Sequence, residues 1–206
     1  MSSKFGTKSH DGESSKGGNS PFINYGNHVL MINSFEVRKA STGSEQVRIN
    51  FEGAPVEEAG FEAHEDSTNG GKIGRVNFSS WLANENQVEE FNTNMAILTN
   101  KLGVKEEVDA IEADDLQDYL DKITPLVKGK QAHWLICAEE YLDDKGDTPK
   151  TKYSLKTARY GFMASMAEGV DHIDAFDKEN KYHYKKLEET PDEMATTTES
   201  GGNTWG

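Results

Sequence analysis

Two runs of alternating side chains, separated by one short polar turn, constrain this chain more than anything else in it. From His28 to Lys39, Val29, Met31, Phe35 and Val37 fall on one face of an extended strand, and His28, Ser34, Glu36 and Arg38 on the other. After Ser41-Thr42-Gly43-Ser44 the alternation resumes, with Val47, Ile49 and Phe51 set against Gln46, Arg48, Asn50 and Glu52. A period of two on both sides of a Gly-containing turn predicts a half-buried β-hairpin, because successive strand side chains point to opposite faces.

The segment from Gly53 to Gly71 is rich in Pro, Gly, Glu and Asp, with Phe61 its one large apolar residue, and predicts a long loop. It is not a phosphate loop: the glycine needed five residues before Gly71 is Asp66, and neither Ser nor Thr follows Lys72. Lys72 to Leu82 predicts a third strand with Val76 and Phe78 inward and Arg75, Asn77 and Trp81 outward. A helix follows, capped by Asn84 or Asn86, with Gln87 or Glu89 three residues on. Its apolar stripe is Val88, Phe91, Met95, Leu98 and Leu102, and it stops at Gly103. A second helix spans about 113–123 on Leu116, Leu120 and Ile123, closed by Pro125 and Gly129. Ala132–Ala138 and Tyr153–Leu155, continued by Ala158–Ala164, then flank a turn carrying Asp143, Asp144, Gly146, Asp147 and Pro149, which predicts a hairpin of strands four and five. Lys181–Leu187 reads as one further basic, ring-bearing strand.

Three strands, a helical insertion and two strands make a mainly β fold with an α insertion (α+β). The expected architecture is a five-stranded OB-fold barrel with one or two helices between strands three and four. Residues 1–21 predict a disordered arm, 22–187 the OB-fold domain, and 188–206 a disordered acidic tail. An apolar fraction of only 34% agrees with part of the length lying outside the core. The single cysteine, Cys137, lies in an apolar run and predicts a small buried hydrophobe in a reducing compartment. No run approaches the roughly 18 apolar residues of a membrane span, so a cytoplasmic protein is expected.

Charge supplies the functional signal. The chain carries a net charge of -14, which opposes broad binding to duplex DNA. Between Lys145 and Arg159, however, Lys145, Lys150, Lys152, Lys156 and Arg159 face only one negative residue, Asp147. A local basic track survives on an acidic body, because exposed charges are screened beyond ~8 Å at physiological salt. An OB barrel binds oligonucleotides on the outer face of strands two and three and with the loops joining strands one to two and four to five. Those places hold Arg48, Asn50, Lys72, Arg75, Asn77 and Trp81 on the face, Arg38 and Lys39 at the first loop, and Lys145, Lys150, Lys152 and Tyr153 at the second, followed by Lys156, Arg159 and Tyr160. Unpaired strands require cations for phosphates and flat rings for bases, and Trp81, Tyr153, Tyr160 and Phe162 are the candidate rings; core packing is the competing role for each, and above all for Trp134 and Phe162. In the tail, Glu188, Glu189, Asp192, Glu193 and Trp205 are candidate partner-binding residues, since a tethered polyanion ending in a ring links groove occupancy to recruitment. Lys4, Lys8 and Lys16 in the arm read as solvated.

Catalysis and metals find no support. Asp171, His172, Asp174, Asp177 and Glu179 match neither an EF-hand nor a zinc spacing. Glu62, His64 and Asp66 stand in a loop, and no paired carboxylates or Ser-His-Asp order occur. No cofactor and no enzymatic activity are expected.

Asn27-His28-Val29-Leu30-Met31-Ile32-Asn33-Ser34-Phe35-Glu36, Gly71-Lys72-Ile73-Gly74-Arg75-Val76 and Leu98-Thr99-Asn100-Lys101-Leu102-Gly103 carry a family likeness. From about Phe22 to Glu189 the chain resembles the OB-fold single-stranded-DNA-binding proteins of tailed bacteriophages, particularly of the crAss-like phages. The resemblance implies a protein that coats strands exposed during DNA replication and recombination in the cytoplasm of a bacterial host, and that recruits phage or host replication and recombination proteins through its acidic C-terminus. It carries over no individual binding residue and leaves homo-oligomerisation open. The alternative is a non-enzymatic virion or scaffold protein that uses the same barrel for protein contacts.

Overall fold

The computed structural model describes residues 22–53, 72–143 and 150–187. The expected N-terminal arm, the long loop with Phe61, Glu62, His64 and Asp66, Lys145 at the hairpin tip, and the tail with Glu188, Glu189, Asp192, Glu193 and Trp205 lie outside the described residues.

The strands are β1 (Gly26–Lys39), β2 (Glu45–Gly53), β3 (Ile73–Asn77), β4 (Gln131–Asp143), β5 (Lys150–Thr157), β6 (Met163–Ser165) and β7 (Tyr184–Lys185), with helices α1 (Glu85–Lys101), α2 (Lys105–Asp109) and α3 (Leu116–Val127) between β3 and β4. β1 pairs antiparallel with β2, β2 with β3, and β4 with β5, while β3 meets β5 in parallel at Asn77 and Lys156. The first half of β1 also pairs with β4, from Gly26 opposite Ile136 to Met31 opposite Gln131. The path β1-β2-β3-β5-β4 thus returns to β1 and closes a five-stranded mixed barrel of the OB type.

One strand can serve two neighbours because its register shifts between Ile32 and Ser34. The extra residue, Asn33, bulges out and exchanges the two faces of the strand. Leu30 and Ile32 are buried before the bulge and Phe35 after it, whereas Met31 is half-buried and His28 is buried. The unbroken alternation expected from Val29 to Val37 is therefore corrected. In β2, which has no such shift on its core face, Val47, Ile49 and Phe51 are all buried as their spacing predicts.

Rings fill the barrel: Phe51 and Trp134 meet edge to face at 4.6 Å, Trp134 and Phe162 lie 6.1 Å apart, and Phe78 meets Phe162 at 5.7 Å. Phe162, a candidate base platform on sequence, is only 1% exposed and belongs to this core. Such edge contacts add about 0.5–1.5 kcal/mol each beyond burial.

Asn84 caps α1 by accepting from the Gln87 amide at 3.1 Å, and the Gln87 side chain reaches back to the Ala83 amide at 3.0 Å. Phe91, Met95, Leu98 and Leu102 are buried, but Val88, in the first turn, is 41% exposed and leaves the expected stripe. Gly103 ends this segment at φ +66°, a conformation in which a Cβ would crowd the backbone. Three helices stand where one or two are expected. Pro125 does not close α3, which continues to Val127, because the proline lies on the exposed side beside exposed Asp121, where the carbonyl it cannot serve meets solvent. Gly129 does close the segment, with φ +76° and its amide donating to the Ile32 carbonyl at 2.9 Å.

The segment after β5 departs most from expectation. Ala158–Ala164 does not extend the fifth strand; it turns back so that β6 pairs with β4, and Lys181–Leu187 contributes only β7, parallel to β4 at Ala138 and Glu139. Residues 158–187 form a strap over β4, whose residues Ala132–Ala138 are consequently buried throughout. No described helix is long and apolar enough to cross a membrane.

Gly74 marks a close approach. A Cβ there would sit 2.8 Å from Ile23 Cβ, on the segment whose amide donates to the Ile73 carbonyl. Gly74→Ala is expected to cost about 1–3 kcal/mol as an overpacking change, read as a lower urea midpoint with an unchanged slope; an unshifted midpoint would mean that the Phe22–Ile23 segment yields freely.

Candidate functional site

The outer face of the barrel carries a polar row that crosses four strands. Glu36 pairs in register with Arg48, Arg48 with Asn77, and Asn77 with Lys156. In-register neighbours on adjacent strands share a face, so local alternation and strand pairing together place Arg48 and Lys156 on one face, on either side of Asn77. Arg48 Nε donates to Asn77 Oδ1 at 3.0 Å, and Arg38 donates to Gln46 Oε1 at 3.1 Å. Arg38 also lies over the Trp81 ring, 5.3 Å from its centroid. Both guanidiniums are held by neutral amides. Burial and, after it, the neighbouring Arg38 charge hold Arg48 below the ordinary guanidinium range; Arg75 adds to this and Glu36 opposes it.

This face is one wall of an open cleft of about 1340 Å³. On the barrel side stand Arg38, Arg48 and Lys156, and on the strap side Arg159, Lys178, Lys181, Lys185 and Lys186. Among the described residues, three carboxylates, Glu90, Glu139 and Glu179, face these eight cations. Trp81, Tyr141, Tyr182 and Tyr184 supply rings along the same lining. A smaller recess of about 570 Å³ continues the cleft through Arg48, Asn77, Tyr141 and Ser154 to Phe22, Arg75, Lys152 and Tyr153.

Several cations are already paired. Lys156 and Lys185 both reach Glu139, at 3.2 and 2.7 Å, and those bonds hold its carboxyl below the usual range against the opposing effect of burial, that from Lys185 most strongly. Arg159 lies 3.7 Å from Glu90, Arg75 3.7 Å from Glu36, Lys186 3.8 Å from Glu179, and Lys152 is bound to Asp143. Exposed pairs of this kind are screened by solvent and contribute little, so they are displaced at small cost.

Of the residues singled out on sequence, Arg38, Arg48, Trp81, Lys156 and Arg159 share the main cleft, and Arg75, Lys152 and Tyr153 the adjoining recess. Lys39, Lys72, Lys150 and Tyr160 line neither. Lys39 pairs with Glu45 at 3.0 Å, while Tyr160 stands 76% exposed with Arg159 5.3 Å from its ring centroid. Tyr153 is half-tethered: its hydroxyl donates to Asn24 Oδ1 at 2.9 Å and its ring meets Tyr25 edge-on at 5.3 Å. Tyr141 and the strap residues Lys178, Lys181, Tyr182 and Lys186 were not among the sequence candidates. For Lys181, Tyr182 and Lys186 the signal in the sequence is the dense mixture of rings and lysines from Lys181 to Lys186; Tyr141 and Lys178 stand outside it.

Among the described residues no group of three or more His, Cys, Asp or Glu could hold a metal ion. Burial pushes the Cys137 thiol up to about 11, which suits a core position rather than a nucleophile.

The strap is fixed to the barrel by the Ala138 amide donating to the His183 carbonyl at 2.9 Å, by Tyr184 Oη donating to Glu140 Oε1 at 2.7 Å, and by the Leu187 amide donating to Glu140 Oε2 at 2.9 Å. The bond to Glu140, then burial, raises the Tyr184 phenol to about 12. A phenol that titrates higher in the folded state stabilises it fully below pH ~10, and that contribution is lost as pH rises towards 12. An ultraviolet tyrosine titration is expected to show one late ionisation near pH 12, abolished in Tyr184→Phe; its persistence in that variant would assign the step to another tyrosine. Neither a protein-family model nor a curated protein matches the chain, so what this cleft holds has to be read from its own residues.

Proposed function

We propose that the protein binds single-stranded DNA across the outer face of β2 and β3 and into the cleft beside it. One observation carries this reading: among the described residues, eight cations and three carboxylates share a ring-lined cleft, in a chain whose net charge is -14. An excess of positive charge so placed, against the sign of the whole molecule, selects an anionic ligand. The rings beside it select one with flat faces to stack. Phosphates and unpaired bases meet both demands, and a stacked base contributes about 1–3 kcal/mol regardless of its identity. Duplex DNA stacks its bases internally and offers only phosphates, for which the acidic remainder of the surface is unfavourable.

The resemblance to phage single-stranded-DNA-binding proteins supports the same reading, and with it a role in coating strands exposed during replication and recombination in a bacterial host. The acidic residues Glu188, Glu189, Asp192 and Glu193, with Trp205, would then recruit replication or recombination partners.

Arg48 is the natural probe, because it lies at the centre of the face and, among the described residues, its side chain donates to the neutral Asn77 amide rather than to a carboxylate. Anisotropy of a labelled oligo(dT) at two salt concentrations is expected to show micromolar or tighter binding that weakens with salt, and little affinity for duplex. Arg48→Ala should weaken binding about tenfold or more, the scale of one charge-assisted hydrogen bond. Absence of binding by the intact chain would sink the proposal and favour a face used for protein contacts.

A further inference from the structure

We infer that the strap from Phe176 to Lys186 is the second wall of the binding cleft, with the Tyr182 ring as a platform for an unpaired base and Lys181 and Lys186 as facing phosphate contacts. This rests on the single-strand reading of the cleft and assigns that site residues outside the barrel.

Tyr182 is 70% exposed, so core packing does not account for its ring. Its backbone is nevertheless rigidly placed. The Tyr182 amide donates to Asn180 Oδ1 at 3.0 Å, and the amides of His183 and Tyr184 both donate to the Asn180 carbonyl, at 2.8 and 2.9 Å. His183 Nδ1 accepts from the Asp177 amide at 3.1 Å, and the Phe176 amide donates to Asn27 Oδ1 at 2.6 Å. The Phe176 ring stacks on Tyr25 at 5.2 Å, and Tyr25 meets Tyr184 edge-on at 5.1 Å. An exposed ring on a tied-down turn is pre-organised: holding it in place costs little when a ligand arrives.

A repeated geometry connects the two walls. Arg38 lies 5.3 Å from the Trp81 centroid on the barrel side, and Lys181 lies 5.3 Å from the Tyr182 centroid on the strap. Each unit presents a flat face and a cation together, which is what one nucleotide requires for its base and its phosphate. Lys186, 63% exposed at its side chain and only 3.8 Å-paired to Glu179, adds a second displaceable cation to the strap. The barrel face supplies one wall of the cleft and the strap the other.

The test uses the full chain and a labelled oligo(dT) at several salt concentrations. Tyr182→Ala is expected to weaken binding about 5- to 150-fold, the range of one lost stacking contact, while Tyr182→Phe keeps near-parent affinity because stacking needs the ring and not the hydroxyl. Lys181→Gln with Lys186→Gln should lower the slope of log affinity against log salt by about 1.4, for two phosphate contacts on a single strand. All of these side chains are exposed, and an unchanged near-ultraviolet circular dichroism spectrum checks that the strap stays docked. If the parent and Arg48→Ala behave as expected but both strap variants bind like the parent, the strap inference is overturned and the barrel-face reading stands. If the parent does not bind, both fall together.

Discussion

The double pairing of β1 holds this structure together. Six residues from Gly26 to Met31 are in register with β4, and those from Leu30 onward with β2. Closure removes the sheet edges that would otherwise seek partners. A straight strand could satisfy one of these neighbours with its apolar residues inward, but not both; the extra residue at Asn33 lets Leu30, Ile32 and Phe35 all reach the core. With the barrel closed around Phe51, Trp134 and Phe162, the outward residues of β2, β3 and β5 have one possible side to face, and Arg48, Asn77 and Lys156 align on it.

The second constraint is electrostatic. An acidic protein can hold a cationic cleft only where its carboxylates are kept at a distance or engaged elsewhere. Glu139 shows how: one carboxylate, drawn down by Lys185 and Lys156 together, leaves the pair of lysines with a net positive charge. Glu140, its neighbour, is turned to structural use by Tyr184 and the Leu187 amide. Arg48 shows the cost: burial first, and then the neighbouring Arg38 charge, hold its guanidinium below the ordinary range, and Glu36 offsets this only in part.

Much of this was legible in residue order. The two alternating runs predict β1 and β2, Asn84 and Gly103 delimit α1, and the sequence of elements points to the OB-type barrel. The errors share a cause. The bulge at Asn33, the exposure of Val88 and the persistence of α3 through Pro125 depend on what lies across from each residue, and no local period reports that. Core packing is the stronger expectation for Trp134 and Phe162, and both are buried, whereas Tyr153 is 44% exposed; only the curled sheet shows how far each ring goes inward.

By itself, then, the amino-acid order determined the first two strands, the helical insertion, the OB-type order of elements and the presence of basic, ring-bearing stretches in an acidic chain, because these follow from short-range periodicity, caps and local charge. Which cations share a cleft was decided by tertiary structure alone. Lys178, Lys181 and Lys186 are more than a hundred residues from Arg38 and Arg48 and meet them because the chain after β5 folds back along β4. That fold-back is driven by burial of β4 on both faces and by the Tyr184 and Glu140 contact, long-range interactions whose partners have no sequence spacing to betray them.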